Sequence, residues 1–371
     1  MRRGVAPALL AAVLFGASTP LAKLLVGQMT PVLLAGLLYA GSGLGLCLLL
    51  AARHWRGKND SAETLQDRRS SGLGKTDLGW LAGAILAGGV AGPLLLLAGL
   101  STMAASNAAL LLNLEGVFTA LFAWFVFHEN FDRRILLGMA AIVAAGLILS
   151  WESGAGVVLA PGALAIAGAC LCWALDNNLT RKIAASDAVQ IAACKGVAAG
   201  AVNLVLAMLL GASWPPLSTA LAAGLLGFCG YGASLVLFVL ALRQLGSART
   251  GAYFSIAPFA GAAIAILFLH EATGPRFWMA GGLMAVGLWL HLTERHVHRH
   301  VHEPLFHAHE HTHDDTHSHT DDNAGDDADP HHHHAHDVAV VGRITHSHAH
   351  QHEAIAHTHA HFPDIHHRHR H

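Results

Sequence analysis

Apolar runs recur along this chain at a regular spacing. They cover residues 5–27, 31–52, 77–99, 103–127, 134–151, 161–181, 187–210, 217–242, 248–269 and 276–293. Each is close to the ~20 mainly apolar residues that a bilayer core requires. The pattern predicts ten transmembrane helices. Gly, Ala and Pro are frequent inside the runs, as close helix packing in lipid favours. The first run, after Met1-Arg2-Arg3, continues past Pro20 to Val26, which suits a span better than a cleaved leader. Residues 53–76, rich in Ser, Asp, Arg and Gly, read as a polar connector.

The runs repeat. Ser106–Trp151 consists of an apolar helix, the polar break His128-Glu129-Asn130-Phe131-Asp132-Arg133-Arg134, and a second apolar helix. About 142 residues later, Ala248–Leu290 does the same around His270-Glu271-Ala272-Thr273-Gly274-Pro275-Arg276. His128/His270, Glu129/Glu271 and Arg134/Arg276 fall at matching places, and each half fits five spans. Internal repeats of membrane spans are the mark of secondary transporters.

Two five-helix halves with a His-Glu pair between their fourth and fifth spans resemble the EamA-type repeat of the drug/metabolite transporter superfamily. The resemblance covers residues 5–292. It implies an all-α polytopic membrane protein of two inverted five-helix repeats, residues 1–151 and 152–294. It also implies a cavity between the halves, lined by their first and fourth spans. Aligning Phe15 with Trp173 sets Ser18 and Thr19 of the first half against Asp176 and Asn177 of the second.

Composition and charge divide the chain again. It is 53% hydrophobic and 12% charged, about half the charge of ordinary soluble proteins. Residues 1–294 carry 17 Lys and Arg against 12 Asp and Glu, whereas residues 295–371 carry 5 against 12 and hold 26 of the 30 histidines. With the N-terminus inside, one side of the membrane holds Arg2, Arg3, Arg53, Arg56, Lys58, Arg68, Arg69, Lys75, Arg133, Arg134, Arg181, Lys182, Arg243 and Arg249; the other loops hold Arg276 alone. The bias predicts a bacterial inner membrane protein with both termini cytoplasmic.

Within the spans, charge is costly, ~2.5–3.5 kcal/mol per group by insertion scales. Lys23 lies near the end of its span, where its stem can snorkel. Glu115, Asp176 and Lys195 lie deeper, with Asn113, Asn177 and Asn178 beside them. A buried pair rarely adds net stability, so these six are the candidate substrate-binding residues. Cys47, Cys170, Cys172, Cys194 and Cys229 all fall inside spans, and residues 170 and 172 point about 200° apart on a helix. They read as packing. The pairs His128/Glu129 and His270/Glu271 are candidate gates, either as carboxylates taking hydrogen bonds at helix ends or as ion relays at each mouth.

The segment after Glu294 is histidine-rich. It contains His296, His298, His300 and His302; His307, His309, His311 and His313; His317 and His319; and the run His331, His332, His333 and His334. His346, His348, His350 and His352, then His357, His359 and His361, follow. Neutral imidazoles at this density suit divalent nickel, zinc or cobalt. With few large apolar residues, the segment is expected to be disordered without metal.

The class expected first is a secondary exporter of divalent transition-metal cations, with a cytoplasmic tail that captures or senses metal. The alternatives are an exporter of amino acids or other small organic metabolites, and a membrane-anchored metal buffer. Lys195 weighs against a cation site, and the tail weighs for one. No phosphate-binding loop is evident in the sequence, so an enzyme is not expected and no cofactor is required beyond metal on the tail. The partners are the lipid bilayer and a small solute or metal ion, with no nucleic acid; a homodimer is allowed.

Overall fold

A computed structural model describes residues 4–56, 77–127, 133–151, 159–181, 187–245, 247–293, 296–302, 305–313, 344–352 and 355–361. It separates into two units, Met1–Glu294 and Arg295–His371.

The first unit is helical. Its spans are α1 (Val5–Leu25), α2 (Pro31–Arg56), α3 (Leu78–Thr102), α4 (Ala105–Leu111 and Leu114–Phe127) and α5 (Arg133–Ser150) in the first half. In the second half they are α6 (Pro161–Arg181), α7 (Ala188–Leu209), α8 (Leu217–Gly227 continuing through Ser234–Leu245), α9 (Ser247–Phe254 and Ala257–Phe268) and α10 (Pro275–Leu292). These match the ten expected spans. Among the described residues, eight stretches are long and apolar enough to cross a membrane by length and composition. The other two are α6, diluted by Asp176, Asn177, Asn178 and Arg181, and α10, which carries Arg276, two tryptophans and His291.

The two halves depart from regular helix at corresponding places. α3 contains a π-helical segment, Ile85–Ala91, and α8 contains another, Phe228–Ala233. α4 breaks at Leu112-Asn113 and α9 at Ser255-Ile256. Irregular backbone at membrane depth persists where it is buried in protein or lines a cavity. Packing follows the same pseudo-symmetry. α3 lies on α6 as α8 lies on α1, and α4 lies on α6 as α9 lies on α1; α2–α7, α4–α9 and α5–α10 pair across the centre. The α2–α7 crossing is backbone-close, because a Cβ on Gly43 would stand 2.3 Å from the Val197 nitrogen.

The surface has the apolar character of a lipid-facing bundle: Leu48, Phe125 and Leu217 are 72%, 67% and 74% exposed. Seven of the eight tryptophans, Trp55, Trp80, Trp124, Trp151, Trp214, Trp278 and Trp289, are exposed near helix ends, as interfacial anchors are. The eighth, Trp173, lies mid-helix in α6.

In the second unit four strands are described: β1 (His296–His302), β2 (Leu305–His313), β3 (Ile344–His352) and β4 (Ile355–His361). β1 pairs antiparallel with β4, and β2 with β3. The sequence reading expected no regular structure here without metal. The two ladders depart from that expectation, and a His-x-His alternation has the period of 2 that a strand requires. The register sets His296, His298 and His300 opposite His361, His359 and His357, and His307, His309 and His311 opposite His350, His348 and His346. His317, His319 and His331 to His334 lie outside the described residues.

Candidate functional site

A cavity of about 190 Å³ lies inside the bundle, walled by α1, α2, α3, α4, α6 and α8. Four rings line it, Phe15, Tyr39, Trp173 and Tyr231, with Leu96 and Leu112. Its polar wall is Ser18, Thr19, Glu115 and Asn177. Both first helices, α1 and α6, and one of the two fourth helices, α4, line the cavity as expected; α9 supplies none of these lining residues, and α2, α3 and α8 complete the wall.

Glu115 sits where α4 resumes after its break, in the first turn of Leu114–Phe127. The N-terminal end of a helix segment carries partial positive charge, which favours a carboxylate there. Its Oε1 accepts 2.8 Å from Asn177 Nδ2. Break and carboxylate therefore belong together.

Asp176 and Lys195 form a separate group. The Lys195 ammonium donates to both Asp176 oxygens, at 2.5 and 2.7 Å, and to Thr180 Oγ1 at 3.3 Å. Asp176 is buried and also accepts from Thr180 Oγ1 at 2.9 Å. Neither member of the pair lines the cavity. Asn113 is buried, with Nδ2 2.9 Å from its own helix's Leu110 oxygen, and Asn178 donates to Ala174 O at 2.8 Å. Of the six candidate residues, Glu115 and Asn177 meet at the cavity, Asp176 and Lys195 pair beside it, and Asn113 and Asn178 bond within their own helices.

The π segment of α3 organises the wall. Its geometry frees carbonyl groups, and side chains take them up. Gly88 O accepts from Tyr39 Oη at 2.7 Å and from Trp173 Nε1 at 3.0 Å, while Gly89 O accepts from Asn203 Nδ2 at 2.9 Å. Gly88 must be glycine, since a Cβ would fall 2.0 Å from Asp176 Oδ2. The twin position in α8 repeats the approach with different chemistry: a Cβ on Gly230 would stand 2.8 Å from Ser18 Cβ. This is the Ser18/Asp176 correspondence of the sequence alignment. The Tyr231 ring lies 5.7 Å from that of Tyr39, tilted by 35°, and meets Phe15 edge-on at 6.2 Å.

The gate residues have local roles where they are described. Glu271 accepts from the backbone nitrogens of Ala105 and Ser106, at 2.7 and 2.8 Å, and so caps the start of α4. His270 has φ of 51°, the left-handed conformation that ends a helix. His128 and Glu129 lie outside the described residues. Lys23 donates to the Leu100 and Met103 oxygens at the carboxyl end of α3. Cys170 is buried, with its thiol 3.6 Å from the Leu111 oxygen at the α4 break. Among the described residues, no three His, Cys, Asp or Glu side chains are grouped to hold a metal ion.

Sequence reasoning named none of Tyr39, Asn203, Trp173 and Tyr231 as a site residue, and used Trp173 only to align the halves. Asn203 is a lone amide in an apolar run, and Trp173 is the tryptophan placed away from a helix end; both signals were present. Two tyrosines among apolar residues look like ordinary packing.

A cavity at the junction of two five-helix halves, with a carboxylate at a broken helix, defines a membrane transporter. The EamA-like transporter family model matches residues 2–151 and 160–293, and the chain belongs to that family. It is 26% identical over 298 residues to an uncharacterized transporter of Methanothermobacter thermautotrophicus, covering 78% of this chain and 87% of that one. Over 100 residues it is 39% identical to the "Probable 4-amino-4-deoxy-L-arabinose-phosphoundecaprenol flippase subunit ArnE" of Pseudomonas fluorescens, covering 27% of this chain and 78% of that protein. A solved crystal structure shares the fold at a TM-score of 0.56 and 18% identity, covering 78% of this chain and 96% of that chain.

Proposed function

We propose that the membrane unit is a secondary transporter of a small organic solute, with Glu115 as the charge that solute and proton exchange. One observation carries this reading: Lys195 is held by Asp176, which leaves Glu115 as the carboxylate in the cavity wall. A protonated Glu115 releases a bound partner; an ionised one, steadied by Asn177 and the helix end, attracts it. The observations support the metal-export reading less well. The cavity offers a single carboxylate among aromatic rings, and a dehydrated transition-metal ion needs several donors. The relative from Pseudomonas fluorescens, named for a lipid-linked amino sugar, fits an organic solute. Inner-membrane location, cytoplasmic termini and export are the accompanying topology. Reporter fusions at Gly57 and after Glu294 should both report cytoplasm.

The test is proton movement in proteoliposomes on addition of small solutes. Some organic solute should drive it, and Glu115→Gln should abolish it while the protein stays folded. A Glu115→Gln protein with undiminished solute-driven flux would defeat the proposal.

A second reading concerns the tail, and the His-opposite-His register of the two ladders favours it. The histidines bind divalent nickel, zinc or cobalt as an accessory. Nickel titration of the full chain should show several sites near neutral pH, lost in a chain ending at Glu294. Binding should weaken below pH ~6, where imidazole is protonated and has no lone pair to donate.

A further inference from the structure

We infer that the cavity selects organic cations, such as quaternary or primary amines, over zwitterions and neutral solutes, through an aromatic cage closed by Glu115. The inference rests on the reading that this cavity is the transport site, and names the solute class that it takes.

Four rings from four helices, Phe15, Tyr39, Trp173 and Tyr231, face one small cavity. The polar ends of two are already occupied: Tyr39 Oη and Trp173 Nε1 both donate to Gly88 O. These two therefore offer a solute ring surface more than hydrogen-bond donors. The face of an aromatic ring is its negative side, and a cation within about 6 Å of the centroid is attracted to it, more strongly when water is excluded. Tyr231 touches two other rings, tilted 35° to Tyr39 and edge-on to Phe15, so the aromatic lining is contiguous.

Charge agrees with the rings. Glu115 accepts one hydrogen bond from Asn177, which leaves acceptor capacity for an ammonium group. A solute carboxylate would find no cation in the wall, because both Asp176 oxygens hold the Lys195 ammonium. The cavity, about 190 Å³, has room for a compact amine.

Three isosteric probes separate the classes: choline, glycine betaine with its added carboxylate, and 3,3-dimethyl-1-butanol, which replaces the quaternary nitrogen with carbon. Calorimetry and proton flux would be measured on the full-length protein in lipid, with ethanolamine added to represent primary amines. The expected result is binding of choline or ethanolamine, with betaine and the neutral alcohol at least tenfold weaker. Glu115→Gln should weaken cation binding ~100-fold. Tyr231→Leu, which removes one ring, should weaken it ~tenfold, and Tyr231→Phe should retain most of it.

Equal affinity for betaine or the alcohol would overturn the inference, as would a Tyr231→Leu protein that folds and binds cations normally. If neither cation binds while amino acids or sugars drive Glu115-dependent proton flux, the cage is refuted and the transport reading stands. If cations bind but Glu115→Gln leaves flux intact, the transport reading fails instead.

Discussion

The two sides of the cavity share one backbone plan and differ in charge. On one side Gly88 of α3 presses against Asp176 of α6, which is paired to Lys195 of α7. On the other, Gly230 of α8 presses against Ser18 of α1, whose hydroxyl donates 2.6 Å to Phe15 O in its own helix. The same approach is thus made once with an ion pair and once with a neutral hydroxyl. The fold does not require the pair, and a buried pair is weak evidence for stability. What the pair does, geometrically, is hold the ammonium away from the cavity and leave Glu115 as the carboxylate in its wall.

The comparison can be broken most forcefully at the pair. Asp176→Ala leaves the Lys195 ammonium without its counter-ion, with only the Thr180 hydroxyl beside it, and should cost about 3–5 kcal/mol, read as lost monodisperse protein and a lower melting temperature in detergent. Adding Lys195→Met should restore most of that, which makes the charged side resemble the neutral one. If Asp176→Ala melts like the parent, the pair is not buried as described.

The glycines sharpen the contrast. Gly88→Ala should destabilise by about 1–3 kcal/mol through overpacking against the ion pair. Gly230→Ala meets one fixed atom, Ser18 Cβ, at 2.8 Å, where Gly88→Ala meets three Asp176 atoms at 2.0 to 2.6 Å, so its loss should be smaller. Equal losses would mean that the Asp176 side chain yields at no cost.

Away from the cavity, Glu271→Ala removes the cap on α4 and should cost about 0.5–2 kcal/mol, as lost caps do. Hydrogen exchange should rise at Ala105 and Ser106 and remain unchanged at the α4 break. The smallest effect is expected at His270. A His270→Gly change suits the left-handed backbone and should be near neutral, whereas His270→Val should cost about 1–2 kcal/mol. Melting temperatures of the two variants would rank them.

Much of this fold is legible in the sequence because lipid imposes long apolar runs, and the repeat follows from their spacing. Glu115 and Asn177 were legible as well, since polar groups in such runs are rare. Other features were not. Lys195 had two acids within reach of the reading, Asp176 and Glu115, and only packing of α6 on α7 decides between them. The breaks at Leu112-Asn113 and Ser255-Ile256 carry no proline at the break itself, although Pro258 follows the second. The π segments, although glycine-rich, have no sequence signature distinct from helix packing. Tyr39 and Tyr231 acquire their roles only from neighbours far away in the chain.

The π segment of α3 has a bearing on helical phase. A π turn carries one residue more than an α turn, so everything beyond it is advanced by about 100° around the axis. Were Ile85–Ala91 to wind into regular α-helix, the Gly88 carbonyl would turn back into its own helix and be released from Tyr39 and Trp173 together. The run Gly92–Thr102 would rotate with it, turning Gly92 away from the Trp173 indole that it now meets. One inserted residue thus sets the azimuth of half a helix and the orientation of two rings in the same stroke.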